Sequence, residues 1–151
     1  PSELTPHTSA QLALLVAQVS TRFAAVLALG PVADVRDYGP SYGDGINWRG
    51  LVHADDEVKL RSPGEWMTSI RSPTYIIEGK QSPSNVRSLS TMCEHAGQIP
   101  PLRCLEIPGY DHFSVIEPVA KVAAAQMLVA GPTSFQLRVD QLKRPEPRPD
   151  R

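Results

Sequence analysis

The stretch Leu102-Arg103-Cys104-Leu105-Glu106-Ile107-Pro108-Gly109-Tyr110-Asp111-His112-Phe113 decides the fold. Leu102, Cys104 and Glu106 alternate with Arg103, Leu105 and Ile107, which is the period of a strand. Pro108 and Gly109 break that pattern, so residues 108–113 read as a tight loop carrying His112. A helix follows over 115–129, with Val115, Val119, Val122 and Met127 on its buried side and Gly131-Pro132 as its stop.

Working outward, Thr74-Tyr75-Ile76-Ile77-Glu78 is a second β-rich run, closed by Gly79. Residues 23–29 form a third, an unbroken apolar run ended by Gly30-Pro31. Its lack of alternation suits a strand buried on both faces, as in a parallel sheet. Between these runs the pattern turns helical. Leu12, Leu15, Val16 and Val19 recur at helical spacing over 9–19, with Thr8 or Ser9 as the cap. Residues 83–96 place Val86, Leu89, Cys93 and Ala96 on one face and end at Gly97. Ser62-Pro63-Gly64-Glu65 reads as a helix start, with Ser62 at the N-cap, Pro63 in the first turn and Glu65 closing a capping box. Pro73 keeps that helix short.

Strands alternating with helices imply an α/β fold, specifically a three-layer α/β sandwich with a mostly parallel sheet. One domain over 1–142 accounts for the patterned sequence. Residues 31–61 form a polar loop or small insertion, and 135–142 adds a short strand or simply docks. Residues 143–151 alternate charge with proline and are expected to be disordered. In a parallel sheet the chemistry sits at the C-terminal ends of the strands, so the loops at 30–37, 78–85 and 108–114 matter most.

Composition narrows the function. The chain has 15 Lys and Arg against 16 Asp and Glu, a net charge of −1, and no basic cluster. That argues against nucleic acid as the main partner. The apolar run 11–29 is interrupted by Gln18, Ser20, Thr21 and Arg22, so neither a membrane span nor a signal peptide is expected. No export signal is visible, and a cytoplasmic location is the default. Pro1 opens the chain without methionine, which implies processing or a longer polypeptide. Cys93 and Cys104 are too few for a disulfide framework and lack metal-ligand spacing, so both read as buried thiols.

The motifs then become specific. Arg71-Ser72-Pro73-Thr74-Tyr75-Ile76-Ile77-Glu78-Gly79 resembles the penultimate strand of α/β-hydrolases, particularly the prolyl-oligopeptidase and dienelactone-hydrolase-like branch. Ile107-Pro108-Gly109-Tyr110-Asp111-His112-Phe113 resembles that family's histidine loop, and residues 117–129 its closing helix. Leu12-Ala13-Leu14-Leu15-Val16-Ala17, followed by Ala25-Val26-Leu27-Ala28-Leu29-Gly30-Pro31, is similar to the helix after the nucleophile and the strand it leads into. The resemblance spans residues 8–129. It implies a partial α/β-hydrolase fold and serine-type hydrolysis of an ester or peptide bond, with a small-molecule or peptide substrate. That chemistry needs no metal and no organic cofactor.

The family's nucleophile is a serine on a G-x-S-x-G turn, followed in the chain by the acid and then the histidine. Here the corresponding stretch is Thr5-Pro6-His7-Thr8-Ser9. His7 takes the nucleophile position, both glycines are missing, and Ser9 reads as a helix cap. The chain is therefore expected to be inactive alone. The alternative is a non-catalytic pseudoenzyme or partner-binding module. His112 is the candidate base. Its acid is Glu78, at the end of its strand, or Asp34, after an earlier strand. Asp111 adjoins His112 but is expected to point away.

The remaining candidates read as ordinary structure. His53 before Asp55-Asp56-Glu57 lacks calcium-loop spacing and marks an exposed acidic turn. The glycine-rich residues 39–45 lack the lysine and the helix of a phosphate loop. His95 lies near a helix end, where a cation suits the dipole. Trp48, Trp66 and Tyr75 read as core or lining residues. Three strands alone leave an apolar edge where others would pair. The chain is accordingly expected to belong to a longer polypeptide, to self-associate through that edge, or to be marginally stable.

Overall fold

A computed structural model describes residues 6–38, 54–130 and 135–142. Three parallel strands form its sheet in the order β1 (Val26–Leu29), β2 (Thr74–Gln81), β3 (Leu102–Asp111). Helix α1 (Pro6–Val19) precedes β1, and α2 (Ala54–Arg61) lies between β1 and β2. Helix α3 (Val86–Cys93) connects β2 to β3, and α4 (Ile116–Ala130) follows β3. Short 3-10 turns at Val35–Tyr38, Pro63–Ser69, Ala96–Gln98 and Val139–Leu142 fill the connections. This is an α/β chain with an all-parallel sheet, and Val26 pairs with Thr74 as Thr74 pairs with Leu102.

β2 is the central strand, and every residue from Thr74 to Gly79 is buried. Its alternate side chains feed two cores, as a strand with both faces covered must. Ile76 joins Ala10 and Leu14 of α1, Ala28 of β1, and Leu89 and Met92 of α3. Tyr75 and Ile77 join Ile107, Val115 and Val119, together with Leu137 and Leu142. Residues 135–142 therefore dock rather than add a strand, with the Phe135 ring set edge-on against Tyr75. Among the described residues, no helix is long and apolar enough to cross a membrane.

α1 has the expected helical period but the opposite phase. Leu12 and Val19 are 56% and 81% exposed, whereas Ala10, Leu14 and Ala17 are buried with Gln11 and Gln18. The small alanines let the helix approach the sheet closely. The glutamines are drawn inward by backbone carbonyls: Gln18 Nε2 donates to the Pro63 carbonyl at 2.9 Å, and Gln11 Nε2 to that of Arg61. Satisfied hydrogen bonds make buried amides acceptable where hydropathy alone would expose them. α1 also starts at Pro6, which places Ser9 inside the helix rather than at its cap.

Other local expectations shift for similar reasons. Ser62 makes no cap; its hydroxyl donates to the Val58 carbonyl at 2.7 Å and accepts the Val35 N–H at 3.1 Å. Asp55, Asp56 and Glu57 form the first turn of α2, where acids suit the helix dipole. Met127 is 49% exposed, because the core beside α4 ends at Ala123 among the described residues. The readings of residues 39–45, Trp48, His53 and the tail 143–151 lie outside the described residues.

Cys93 and Cys104 are not free thiols. They form a disulfide between the last turn of α3 and the start of β3, with Cα atoms 6.2 Å apart. The thiol reading failed because the helix-to-strand crossover brings together two residues whose spacing in sequence carries no signal. Closing so short a loop stabilises the fold by about 3 kcal/mol in the chain-entropy picture.

Candidate functional site

β3 does not end at Ile107. It continues to Asp111, and the turn after it spans 112–115. Pro108 and Gly109 mark a bulge instead of a stop. Gly79 pairs with Ile107 and Gln81 with Asp111, so β3 holds two extra residues at that point. Gly109 takes φ +83°, which an L side chain rarely adopts. The bulge delivers Asp111 and His112 to the end of β2.

There the imidazole meets Glu78. His112 Nδ1 lies 3.1 Å from Oε1 and 3.0 Å from Oε2 of the carboxylate. The histidine and glutamate side chains are only 6% and 1% exposed. Where the carboxylate is ionised it only accepts, and Nδ1 is then the donor of this contact. Oε1 also accepts the Gly79 N–H at 3.1 Å.

The other two loops close around this pair. Gly30, at φ +65°, lies directly beneath the imidazole; a Cβ there would fall 2.1 Å from His112 Cε1. The Gly30 carbonyl accepts Asn85 Nδ2 at 3.1 Å, and the Pro83 carbonyl accepts the His112 N–H at 2.9 Å. The Phe113 ring stands edge-on to the imidazole, with centroids 4.9 Å apart. Residues of all three strand-end loops thus converge on one point. Gly30 and Asn85 lie in two of the loops expected to matter, but neither is singled out there as a site residue. A glycine closing a buried strand immediately before proline was the available signal.

Asp34, the alternative acid, is committed elsewhere. Arg36 Nε bridges both its oxygens at 3.0 Å, and the Arg36 N–H adds a contact at 2.8 Å. The guanidinium hydrogen bond holds the Asp34 carboxyl below the usual aspartate range. Of the two acids weighed, the structure brings Glu78 to the imidazole and gives Asp34 to Arg36.

Asp111 builds the turn. Its Oδ1 accepts the Phe113 and Ser114 N–H groups at 2.9 and 2.8 Å, while its own N–H donates to Ser114 Oγ at 2.9 Å. The backbone hydrogen bond from Ser114 is the main cause of its lowered carboxyl pKa. A depressed folded value contributes stability above the unfolded value, and that stability is lost as pH falls through the folded one. The Ser114 N–H should therefore stay protected from neutral pH to below the ordinary aspartate value of 3.8. Amide exchange followed against pH checks this: protection already lost by pH ~5 would refute it.

Among the described residues, no group of three or more His, Cys, Asp and Glu side chains is placed to hold a metal ion. Comparison with protein-family models, curated proteins and solved structures found no match.

Proposed function

We propose that this chain is the acid-and-histidine portion of a serine-type α/β-hydrolase. It acts on an ester or peptide-type bond when joined to a nucleophile-bearing half, and is inactive alone. The buried Glu78–His112 pair at the ends of adjacent parallel strands carries this reading. Glu78 lies against Nδ1 of the ring, and Nε2 is the nitrogen that would transfer the proton. In serine hydrolysis that nitrogen takes the proton of the attacking hydroxyl and returns it to the leaving group. A small-molecule or peptide substrate fits this chemistry, with no metal or organic cofactor required.

The architecture supports the same reading. The strand order β1-β2-β3 follows the chain, and the two cores on alternate faces of β2 fit a three-layer α/β sandwich. Beside β1, the exposed side of α1 leaves an apolar groove of about 370 Å³ lined by Leu12, Val16, Phe23 and Val26, among others. A parallel strand of the nucleophile-bearing half is the occupant we assign to it, because the sheet would continue there.

A second reading, a non-catalytic pseudoenzyme or partner-binding module, is favoured by one observation. The stretch that the resemblance sets against the nucleophile turn has His7 and no glycine, and His7 lies within helix α1.

A fluorophosphonate probe separates the readings. The chain alone should remain unlabelled, and labelling of it would overturn its inactivity in isolation. Joined to a half encoding Gly-x-Ser-x-Gly, it should gain a serine adduct that His112→Ala abolishes. A folded joint protein that takes no label would favour the pseudoenzyme.

A further inference from the structure

We propose that the Cys93–Cys104 disulfide is a redox-sensitive clamp on the β2–α3–β3 crossover, released by a dithiol reductant, that governs how firmly the His112 turn is held.

The clamp and the turn lie at opposite ends of one short helix. Residues 83–85, immediately before α3, hold the histidine turn: Pro83 accepts the His112 N–H at 2.9 Å, and Asn85 secures Gly30 beneath the ring at 3.1 Å. The Asn85 carbonyl also accepts the Leu89 N–H at 3.0 Å, so this segment is tied to the first turn of the helix. Cys93, the last residue of α3, is bonded to Cys104 in β3. The helix has eight residues, of which Leu89 and Met92 are buried. A helix this short has little stability of its own and depends on its anchors. With the disulfide closed, its far end is fixed covalently to the strand that leads into the His112 turn. With it open, the anchorage falls mainly to those two side chains.

The bond is also reachable. Both cysteines are half-buried and line an open cleft of about 430 Å³ with Leu89, Ser90, Glu94 and Glu106. A thiolate of the dithiol attacks one sulfur and forms a mixed disulfide, while the other sulfur leaves and takes a proton. The second thiolate of the reductant then displaces the remaining cysteine and closes its own disulfide. Two electrons and two protons reach the protein, leaving two thiols, and the dithiol is oxidised. The clamp operates whether or not the Glu78–His112 pair is catalytic.

Residue-resolved amide exchange of the full chain, before and after dithiothreitol, tests the proposal. Thiol titration should find none before treatment and two after. On reduction the His112 N–H should exchange at least ~10-fold faster, while Ile76 and Ile77 in β2 change by less than about 3-fold. The Cys93→Ser/Cys104→Ser double variant should reproduce the reduced pattern without reductant. Thiols already free before treatment would overturn the proposal, as would unchanged exchange at His112. Uniform acceleration throughout the chain, or a double variant that does not fold, would also overturn it by making the bond a general staple.

Discussion

Replacing Glu78 with alanine should destabilise the chain by about 2–4 kcal/mol in urea unfolding, because it deletes a fully buried side chain and its contact with the imidazole. The imidazole is 6% exposed, and Glu78 holds its Nδ1. Removing the carboxylate takes away the contact at Nδ1 and leaves a cavity beside it, and both effects act in the same direction. Glu78→Gln keeps the shape and one acceptor oxygen, so its cost should be about 1–2 kcal/mol. A double-mutant cycle with His112→Leu isolates the pair, and a coupling of about 1–3 kcal/mol is expected. Strictly additive losses, or a Glu78→Ala cost below about 1 kcal/mol, would show that the contact does little for the fold.

Gly79→Ala should be more damaging still, costing about 4 kcal/mol or more, or preventing folding. A Cβ at this position would meet the Asp111 carbonyl oxygen at 2.3 Å, its carbon at 2.5 Å and the Tyr110 carbonyl oxygen at 2.6 Å. All three are backbone atoms of the neighbouring strand, so no side chain can swing aside. Relief requires parting β2 from β3 at the bulge that positions His112. Gly97→Ala is the matched control: nothing lies within 4 Å of its added Cβ. Its stability should change by less than about 0.5 kcal/mol. Similar losses at both positions would mean that β2 and β3 separate readily at the bulge.

Several features could be read from residues alone because the signal is local. The Thr74–Glu78 run, the apolar stretch before Gly30 and the Leu102–Ile107 alternation each identified a strand, and helical spacing between them implied a parallel sheet. The three strand-end loops followed from that topology, and Glu78 stood as one of two acids offered to His112. Where the reading slipped, a partner distant in sequence was responsible. Hydropathy placed Leu12 and Val19 of α1 inside, but carbonyls of residues 61 and 63 draw Gln11 and Gln18 in instead. Pro108-Gly109 signals a break, and only pairing with Gly79 and Gln81 shows that the strand resumes.

The sequence by itself determined the class of fold, the alternation of strands with helices and the loops where polar residues gather. These depend on periodicity and on glycine and proline, which act within a few residues. Tertiary structure alone decided that Glu78 rather than Asp34 faces the imidazole, that Gly30 lies beneath it, and that Cys93 bonds Cys104. Each of these is a distance across the sheet or its connections, set by strand register and by a bulge, and no local pattern of residue types encodes such a distance.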